Sequence, residues 1–383
     1  MKHKILYTIE NIFFGGGERA FAQIINGLDK EKYEAYVACL PGGEFTERIK
    51  RSAKIVPFDL RNRFDFTKIF QLVKIIKQKN IEIIHSQGGR ADFFARVAAR
   101  LASVPAVIST IAMPVEGFDV GLIKKIIYIV LDRFSERFVD RYIVVSEALR
   151  KRLIEKHKIP AKKIVKIYNG VEIDSDARCL MPDARKKIMQ ELMIPENVML
   201  AGTIGRLVWQ KGLPYFIQAI KEINARWKMQ DVRYLIVGEG KERNNLEKKI
   251  KYLGLSDKVI FTGFCSDIKE ILYSLDVFVL PSIREGQPIV LLEAMAMETP
   301  IVATDIEGVN ETIVDGITGI LVPPKNPSAL AEAIVCLLKD KKKAQEMGQA
   351  GRMVVKEKFN LKDKMEQHKR LYETIIVEKS GVC

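Results

Sequence analysis

The sequence predicts an α/β protein built as two doubly wound, Rossmann-like domains. Three observations carry that expectation. Apolar, strand-like runs alternate with helical patterns, as βαβ units and parallel sheets require. The alternation occurs twice, on either side of a polar, acidic stretch. A chain of 383 residues is also too long for one typical domain and comfortable for two.

The first series places strands at 5–9, 36–40, 81–85, 106–110, 142–145 and 164–168, short runs rich in Ile, Val, Tyr and Thr. Helical periodicity marks 18–28, 66–79, 90–102 and 148–156 between them. The second series places strands at 199–204, 234–237, 259–262, 277–280, 301–304 and 320–322. Helices follow at 214–223 and at 289–297, the latter a strong helix former without internal Gly or Pro. Glu311 is expected to open a short helix of its own, and a final helix covers 361–377 after a break at Phe359-Asn360. The acidic stretch 172–183, ending in Met181-Pro182-Asp183, is the linker candidate. The domains then span 1–175 and 183–360.

Two clusters carry chemistry. Glu285-Gly286-Gln287-Pro288-Ile289-Val290-Leu291-Leu292-Glu293 holds two carboxylates eight positions apart, one in a loop and one about a turn inside the following helix. The backbone amides of Ile289, Val290 and Leu291 lie at that helix start, where an anion is favoured. Phosphate in the middle and hydroxyl-bearing rings at each end describe a nucleotide-sugar. The second cluster is Gly202-Thr203-Ile204-Gly205-Arg206-Leu207-Val208-Trp209-Gln210-Lys211-Gly212, a strand, a Gly-rich turn and a helix start with Arg206 and Lys211 five apart. It suits a pyrophosphate clamp. Each cluster alone also has a plain structural reading, a dipole-facing Glu in one and a solvated Arg and Lys in the other.

Together these residues resemble the retaining glycosyltransferases of family 4, which have the GT-B fold. The family's Glu-x7-Glu motif corresponds to Glu285 and Glu293, and its Gly-Arg-…-Lys-Gly segment to Gly205-Arg206 and Lys211-Gly212. Further matches follow in order. They are Gly15-Gly16-Gly17-Glu18-Arg19, Val144-Val145-Ser146, Asn169-Gly170-Val171, Gly308 to Ile313, Gly316-Ile317-Thr318-Gly319 and Val322-Pro323-Pro324. The resemblance implies two domains facing a central cleft. The acceptor would bind the N-terminal one and the nucleotide-sugar donor the second, with the last helix, about 361–383, crossing back to the first. It implies donor contacts from Gly16, Gly17, Arg206, Lys211, Gly238, Phe264, Glu285, Gln287, Pro288, Ile289, Val290 and Glu293. For Phe264 core packing is an equal alternative. His85 and Gln87 fall where relatives carry acceptor-side residues, although many of those have His-x-His and this chain has Gln87. A lone His ending a strand also reads as a hydrogen-bonded structural residue.

The chemistry follows from charge. Cleaving a sugar from a nucleoside diphosphate builds negative charge on the leaving phosphate, which Arg206, Lys211 and the helix-start amides would stabilise. Glu285 would orient the sugar and Glu293 would hold the ribose. Family resemblance implies retention of anomeric configuration, with same-face attack assisted by the leaving phosphate. The four histidines show no metal-ligand spacing and no D-x-D is present, so neither metal nor cofactor is expected. A nucleotide-sugar epimerase of the same fold and a non-catalytic sugar-nucleotide-binding subunit remain open. The early glycines do not make a dinucleotide fingerprint, because Ala20 stands where the third Gly belongs.

Met1-Lys2-His3-Lys4 leads into a strand rather than a secretory leader, and no run approaches the roughly 18 apolar residues of a spanning helix. Five scattered cysteines, without a C-x-x-C pair, fit a reducing cytoplasmic compartment. The net charge of +14 is lopsided: residues 1–178 hold 32 Lys and Arg against 21 Asp and Glu. No nucleic-acid-binding motif accompanies it, so nucleic acid is not expected. An anionic membrane surface and a glycan or lipid-linked acceptor fit better, placing the protein peripherally at the inner membrane face. The segment Ile123-Lys124-Lys125-Ile126-Ile127-Tyr128-Ile129-Val130-Leu131, drawn as a helix, mixes apolar surface with basic residues. A core helix with a solvated basic edge is its plain alternative.

Overall fold

The computed structural model describes residues 2–11, 14–62, 65–113, 116, 121–173 and 183–380. The chain divides into two compact units, Met1–Asn169 with Lys362–Cys383, and Gly170–Leu361. The expected linker falls mostly on 174–182, outside the described residues.

Unit 1 is built on a seven-stranded parallel sheet. Its strands are β1 (His3–Ile9), β2 (Tyr33–Cys39), β3 (Lys54–Pro57), β4 (Ile83–Gln87), β5 (Ala106–Ile111), β6 (Arg141–Val144) and β7 (Ile164–Lys166). They lie in the order β3-β2-β1-β4-β5-β6-β7. Alternate residues of a strand point to opposite faces, and β1 shows the consequence. Ile5, Tyr7 and Ile9 join Phe21 and Ile25 in one core, while Leu6 joins Phe94 and Ala95 in the other. Helices cover both faces, so the central strands are buried on both sides, β1 from Ile5 to Ile9 and β4 along its whole length. The last helix, Leu361–Ser380, sets Leu371, Tyr372 and Ile375 into the first of these cores.

Unit 2 repeats the plan with six parallel strands. These are β8 (Met199–Ile204), β9 (Val232–Val237), β10 (Val259–Gly263), β11 (Val277–Leu280), β12 (Ile301–Thr304) and β13 (Ile320–Val322), in the order β10-β9-β8-β11-β12-β13. The chain reverses direction of growth between β1 and β4 in one sheet and between β8 and β11 in the other. Both units are therefore doubly wound, as the alternation implied.

Several local expectations change. β3 and the helix Glu44–Ile49 had no place in the sequence reading, because both are short and β3 is an edge strand with exposed ends. β4 spans Ile83–Gln87, two residues later than expected, so Gln87 belongs to the strand and not to the loop after it. Glu311 opens no helix. It sits in a series of turns between β12 and β13, where Val309 and Asn310 N–H both donate to Ile306 O at 3.1 Å.

Candidate functional site

Ligands of open α/β sheets bind beyond the strand carboxyl ends at the point where strand order reverses. In unit 2 that point lies between β8 and β11, and both sequence clusters emerge there. Arg206 follows β8 directly and is exposed. The short 3₁₀ turn Trp209–Lys211 then carries Lys211, whose Nζ donates to Glu285 Oε1 at 2.7 Å. Ser282 Oγ donates to the same carboxylate oxygen at 2.6 Å. Lys211 and Glu285 are 74 positions apart in sequence and are joined only by the fold.

Backbone contacts fix the two loops. Gly212 has φ +62, and a Cβ there would lie 2.0 Å from the Pro281 carbonyl oxygen, so no side chain fits. Ile283 N–H donates to Gln210 O at 2.7 Å, closing the contact. The loop after β12 joins in the same way: a Cβ on Gly308 would meet Gly286 O at 1.9 Å. Thr304 Oγ1, at the end of β12, donates to Ser282 O at 2.5 Å. These residues hold the loop that presents Glu285.

The helix after that loop is Ile289–Ala296, with Pro288 at its N-cap. Proline offers no side-chain acceptor, so the first-turn amides are left to other partners. Gln287, Pro288 and Ile289 are buried, while Val290 and Glu293 are half-buried. Glu293 lies one turn inside the helix, on the same short element as the uncapped amides. Gly238, which follows β9, comes so close to the β8 loop that a Cβ would meet Gly205 O at 2.1 Å. Phe264, beyond β10, is 53% exposed, which removes the core-packing alternative for it.

The unit 1 residues resolve differently. Gly16 and Gly17 open the helix Gly16–Asn26, whose cap is closed by Glu18 accepting from Gly15 N–H at 2.9 Å. Gln87 Nε2 donates to Gly17 O at 2.8 Å, so Gln87 braces the Gly-rich turn. The acceptor-side expectation for His85 needs correcting. It is fully buried, with Nδ1 2.6 Å from Tyr372 Oη and Nε2 2.7 Å from Thr110 Oγ1. Burial, with His368 nearby, holds its pKa well below the usual imidazole range. Neither nitrogen is open to a ligand, and the residue links β4, β5 and the last helix.

Sequence spacing gave no metal-ligand cluster, yet the fold brings Asp132, Glu136 and His157 within 4.8 Å of one another. Each has a protein partner. Arg96 Nη1 donates to Asp132 Oδ1 at 2.7 Å, and His157 Nδ1 pairs with Glu136. His157 Nε2 lies 3.2 Å from Glu116 Oε1. This is an ion-pair network between a helix and the residues around it. It was invisible in sequence because His157 is 21 positions from Glu136.

Comparison with known proteins agrees with this fold. The family model described as Glycosyltransferase Family 4 matches residues 14–175, and the one described as Glycosyl transferases group 1 matches 184–354. The chain is 28% identical over 389 residues to the Escherichia coli UDP-Gal:alpha-D-GlcNAc-diphosphoundecaprenol alpha-1,3-galactosyltransferase, covering 99% of this chain and 98% of that one. It is also 28% identical to a Campylobacter jejuni N,N'-diacetylbacillosaminyl-diphospho-undecaprenol alpha-1,3-N-acetylgalactosaminyltransferase, over 83% of this chain and 85% of that protein. Among solved structures, Anabaena HepE in complex with UDP-glucose superposes with a TM-score of 0.83 at 22% identity, covering 97% of this chain and 99% of that chain. Two doubly wound sheets, the paired Lys211 and Glu285 at a strand-order reversal, and family models over both halves lead to one assignment: the chain belongs to glycosyltransferase family 4, with the GT-B fold.

Proposed function

We propose that this enzyme transfers a sugar, with retention, from a UDP-sugar to a hydroxyl of a lipid-linked or glycan acceptor at an anionic membrane surface. The observation that carries the reading is the convergence of Lys211, Glu285 and the uncapped helix start at the β8–β11 reversal. Lys211 and Arg206 neutralise the leaving diphosphate, which is why no metal or other cofactor is needed. The amides of Ile289 and Val290 add fixed dipoles aimed at the same charge. Glu285, already held by Ser282 and Lys211, receives the sugar hydroxyls, and Glu293 takes the ribose. Gly238 and Phe264 border the nucleotide. The acceptor hydroxyl attacks from the face the diphosphate leaves and passes its proton to that diphosphate as the sugar–phosphate bond breaks, so the step needs no enzymic nucleophile.

UDP is favoured by the name of the Escherichia coli relative and by the nucleotide in the HepE complex. A lipid-linked acceptor is favoured by the names of both diphosphoundecaprenol relatives, and an acceptor of that kind favours work beside a membrane. Among the described residues no helix is long and apolar enough to cross one. The test is a panel of UDP-, GDP- and ADP-sugars read by thermal stabilisation and by nucleoside diphosphate release. Stabilisation by UDP-sugars alone, with release that rises when a polyprenyl-diphosphate-sugar is added, is the expected result. Conversion of one UDP-sugar to its epimer without any acceptor would replace transfer by epimerisation.

A further inference from the structure

The helix Leu122–Glu136 is built inside out. Its buried positions are Asp132 and Ser135, while Leu122, Ile123, Ile126, Ile127, Val130 and Phe134 are exposed, Leu122 and Ile123 by about three-quarters. At 3.6 residues per turn those six fall within an arc of roughly 140°, one continuous outward face. A helix covering a sheet ordinarily does the reverse. The inward polar side fixes this rotation. Arg96, fully buried, donates to Asp132 Oδ1 at 2.7 Å and to Ser135 Oγ at 3.3 Å, and His157 engages Glu136. Turning the apolar face inward would leave the Arg96 guanidinium buried without that carboxylate.

Charge identifies what covers the face. The helix's two acids, Asp132 and Glu136, point inward and are neutralised there, so its outward charges are basic. Lys124 and Arg137 are exposed and Lys125 is half-buried. Arg137 stacks over the Phe134 ring at 4.5 Å, keeping a cation beside the apolar surface. A second apolar patch lies on the same sheet face. The helix Gly89–Leu101 packs against both Leu122–Glu136 and Thr67–Lys79, and the latter begins with Phe66 and Phe70 exposed.

We propose that this face docks unit 1 onto a membrane: the exposed residues of Leu122–Phe134 enter the interfacial layer while Lys124, Lys125 and Arg137 meet anionic headgroups. Interfacial helices combine these features, a wide apolar face flanked by basic residues. The inference gives the membrane of the proposed function its contact element and rests on that reading only for where the acceptor lies. Vesicle binding is measured without donor or acceptor, so its failure would leave sugar transfer standing.

The test is flotation of the full chain with phosphatidylglycerol-containing vesicles and with phosphatidylcholine vesicles. The parent should bind the anionic vesicles and release in high salt. Ile126→Glu with Val130→Glu should lower partitioning by roughly tenfold or more while UDP-sugar hydrolysis and the unfolding midpoint stay as in the parent. An Ile126→Trp probe decides independently if that double variant folds poorly. Its emission should shift to the blue on vesicle addition and be quenched by brominated acyl chains. Unshifted emission, or undiminished binding by a well-folded double variant, would overturn the proposal. So would conversion of a parent dimer to a monomer by the double substitution without any vesicle binding in the parent, since a second copy would then cover the face.

Discussion

Lys211 and Glu285 sit 2.7 Å apart, and the proposed reaction draws on both. Glu285 has a side chain only 10% exposed, so Lys211→Ala leaves it with Ser282 alone and should cost stability, roughly 1–3 kcal/mol for a stranded buried group. Turnover should fall much further, by roughly 10²–10³ for Lys211→Ala or Arg206→Ala, as for loss of one preorganised donor at a developing anion. Steady-state rates at saturating donor, with the unfolding midpoint measured alongside, separate the two effects. Near-parental rates in both variants would remove the clamp. The acidic pair divides differently. Glu293→Gln should weaken UDP binding by roughly 1.5–3 kcal/mol, the worth of a hydrogen bond to a charged group, while Glu285→Gln should chiefly lower kcat. Calorimetric titration with UDP checks this, and parental affinity in the Glu293 variant would contradict the ribose assignment. Lys211, Glu285 and Glu293 were legible because each belongs to a motif of fixed spacing beside a strand end. Ser282, Thr304 and the bracing of Gly17 by Gln87 were not, since those contacts exist only after distant loops meet.

At the scale of elements, the loops of unit 2 depend on backbone approaches that exclude any Cβ. Gly212→Ala forces a methyl group toward Pro281 O in a left-handed conformation, so the loop carrying Lys211 must move. The expected outcome is lowered stability together with a loss of turnover approaching that of Lys211→Ala, read by thermal melts and initial rates; parental behaviour would mean the two loops are not locked. In unit 1 the helix Leu122–Glu136 is tied down by His157. Burial alone would lower the His157 pKa, but Glu116 and Glu136 outweigh it and raise it to about 9. A raised pKa means stabilisation that is complete below the unfolded value of 6.5 and is lost as pH rises through about 9. Glu116 has the opposite sign. Its hydrogen bond from His157 holds it near 2, so its contribution is complete above 4.5 and fades as pH falls toward 2. Arg133 lies within 4 Å of both carboxylates. Unfolding midpoints from pH 6.5 to 9 should therefore decline in the parent and decline less in a His157→Asn variant. Equal slopes would show that the cluster does not couple to protonation. Helical periodicity identified an apolar stripe near 123–131 but could not tell which way it faced. That was decided by Arg96, whose buried charge drew Asp132 inward.

For the whole molecule, two sheets with the same reversal of strand order give two places where a ligand crevice forms: the unit 2 crevice holds the Lys211–Glu285 pair, and at the unit 1 reversal Arg90 pairs with Glu10. The double alternation of strands and helices made this architecture readable from sequence, because most strands begin as short apolar runs set between helical patterns. Discontinuity of unit 1 could not be derived from periodicity and came only through family resemblance. The physical cause is visible in the structure. Tyr372 on the last helix supplies the partner of His85 at 2.6 Å and of Tyr7 Oη at 3.1 Å, filling a gap the first 169 residues leave in their own core. The central claim is that this molecule moves a sugar from UDP to an acceptor with retention and without metal. The most direct test incubates the enzyme with a UDP-sugar and a polyprenyl-diphosphate-sugar in the presence of EDTA and reads the anomeric coupling of the product by NMR. The account predicts an α-linked product from an α-linked donor, undiminished by EDTA and abolished in Glu285→Gln. A β-linked product, or product formation that stops with EDTA, would contradict it.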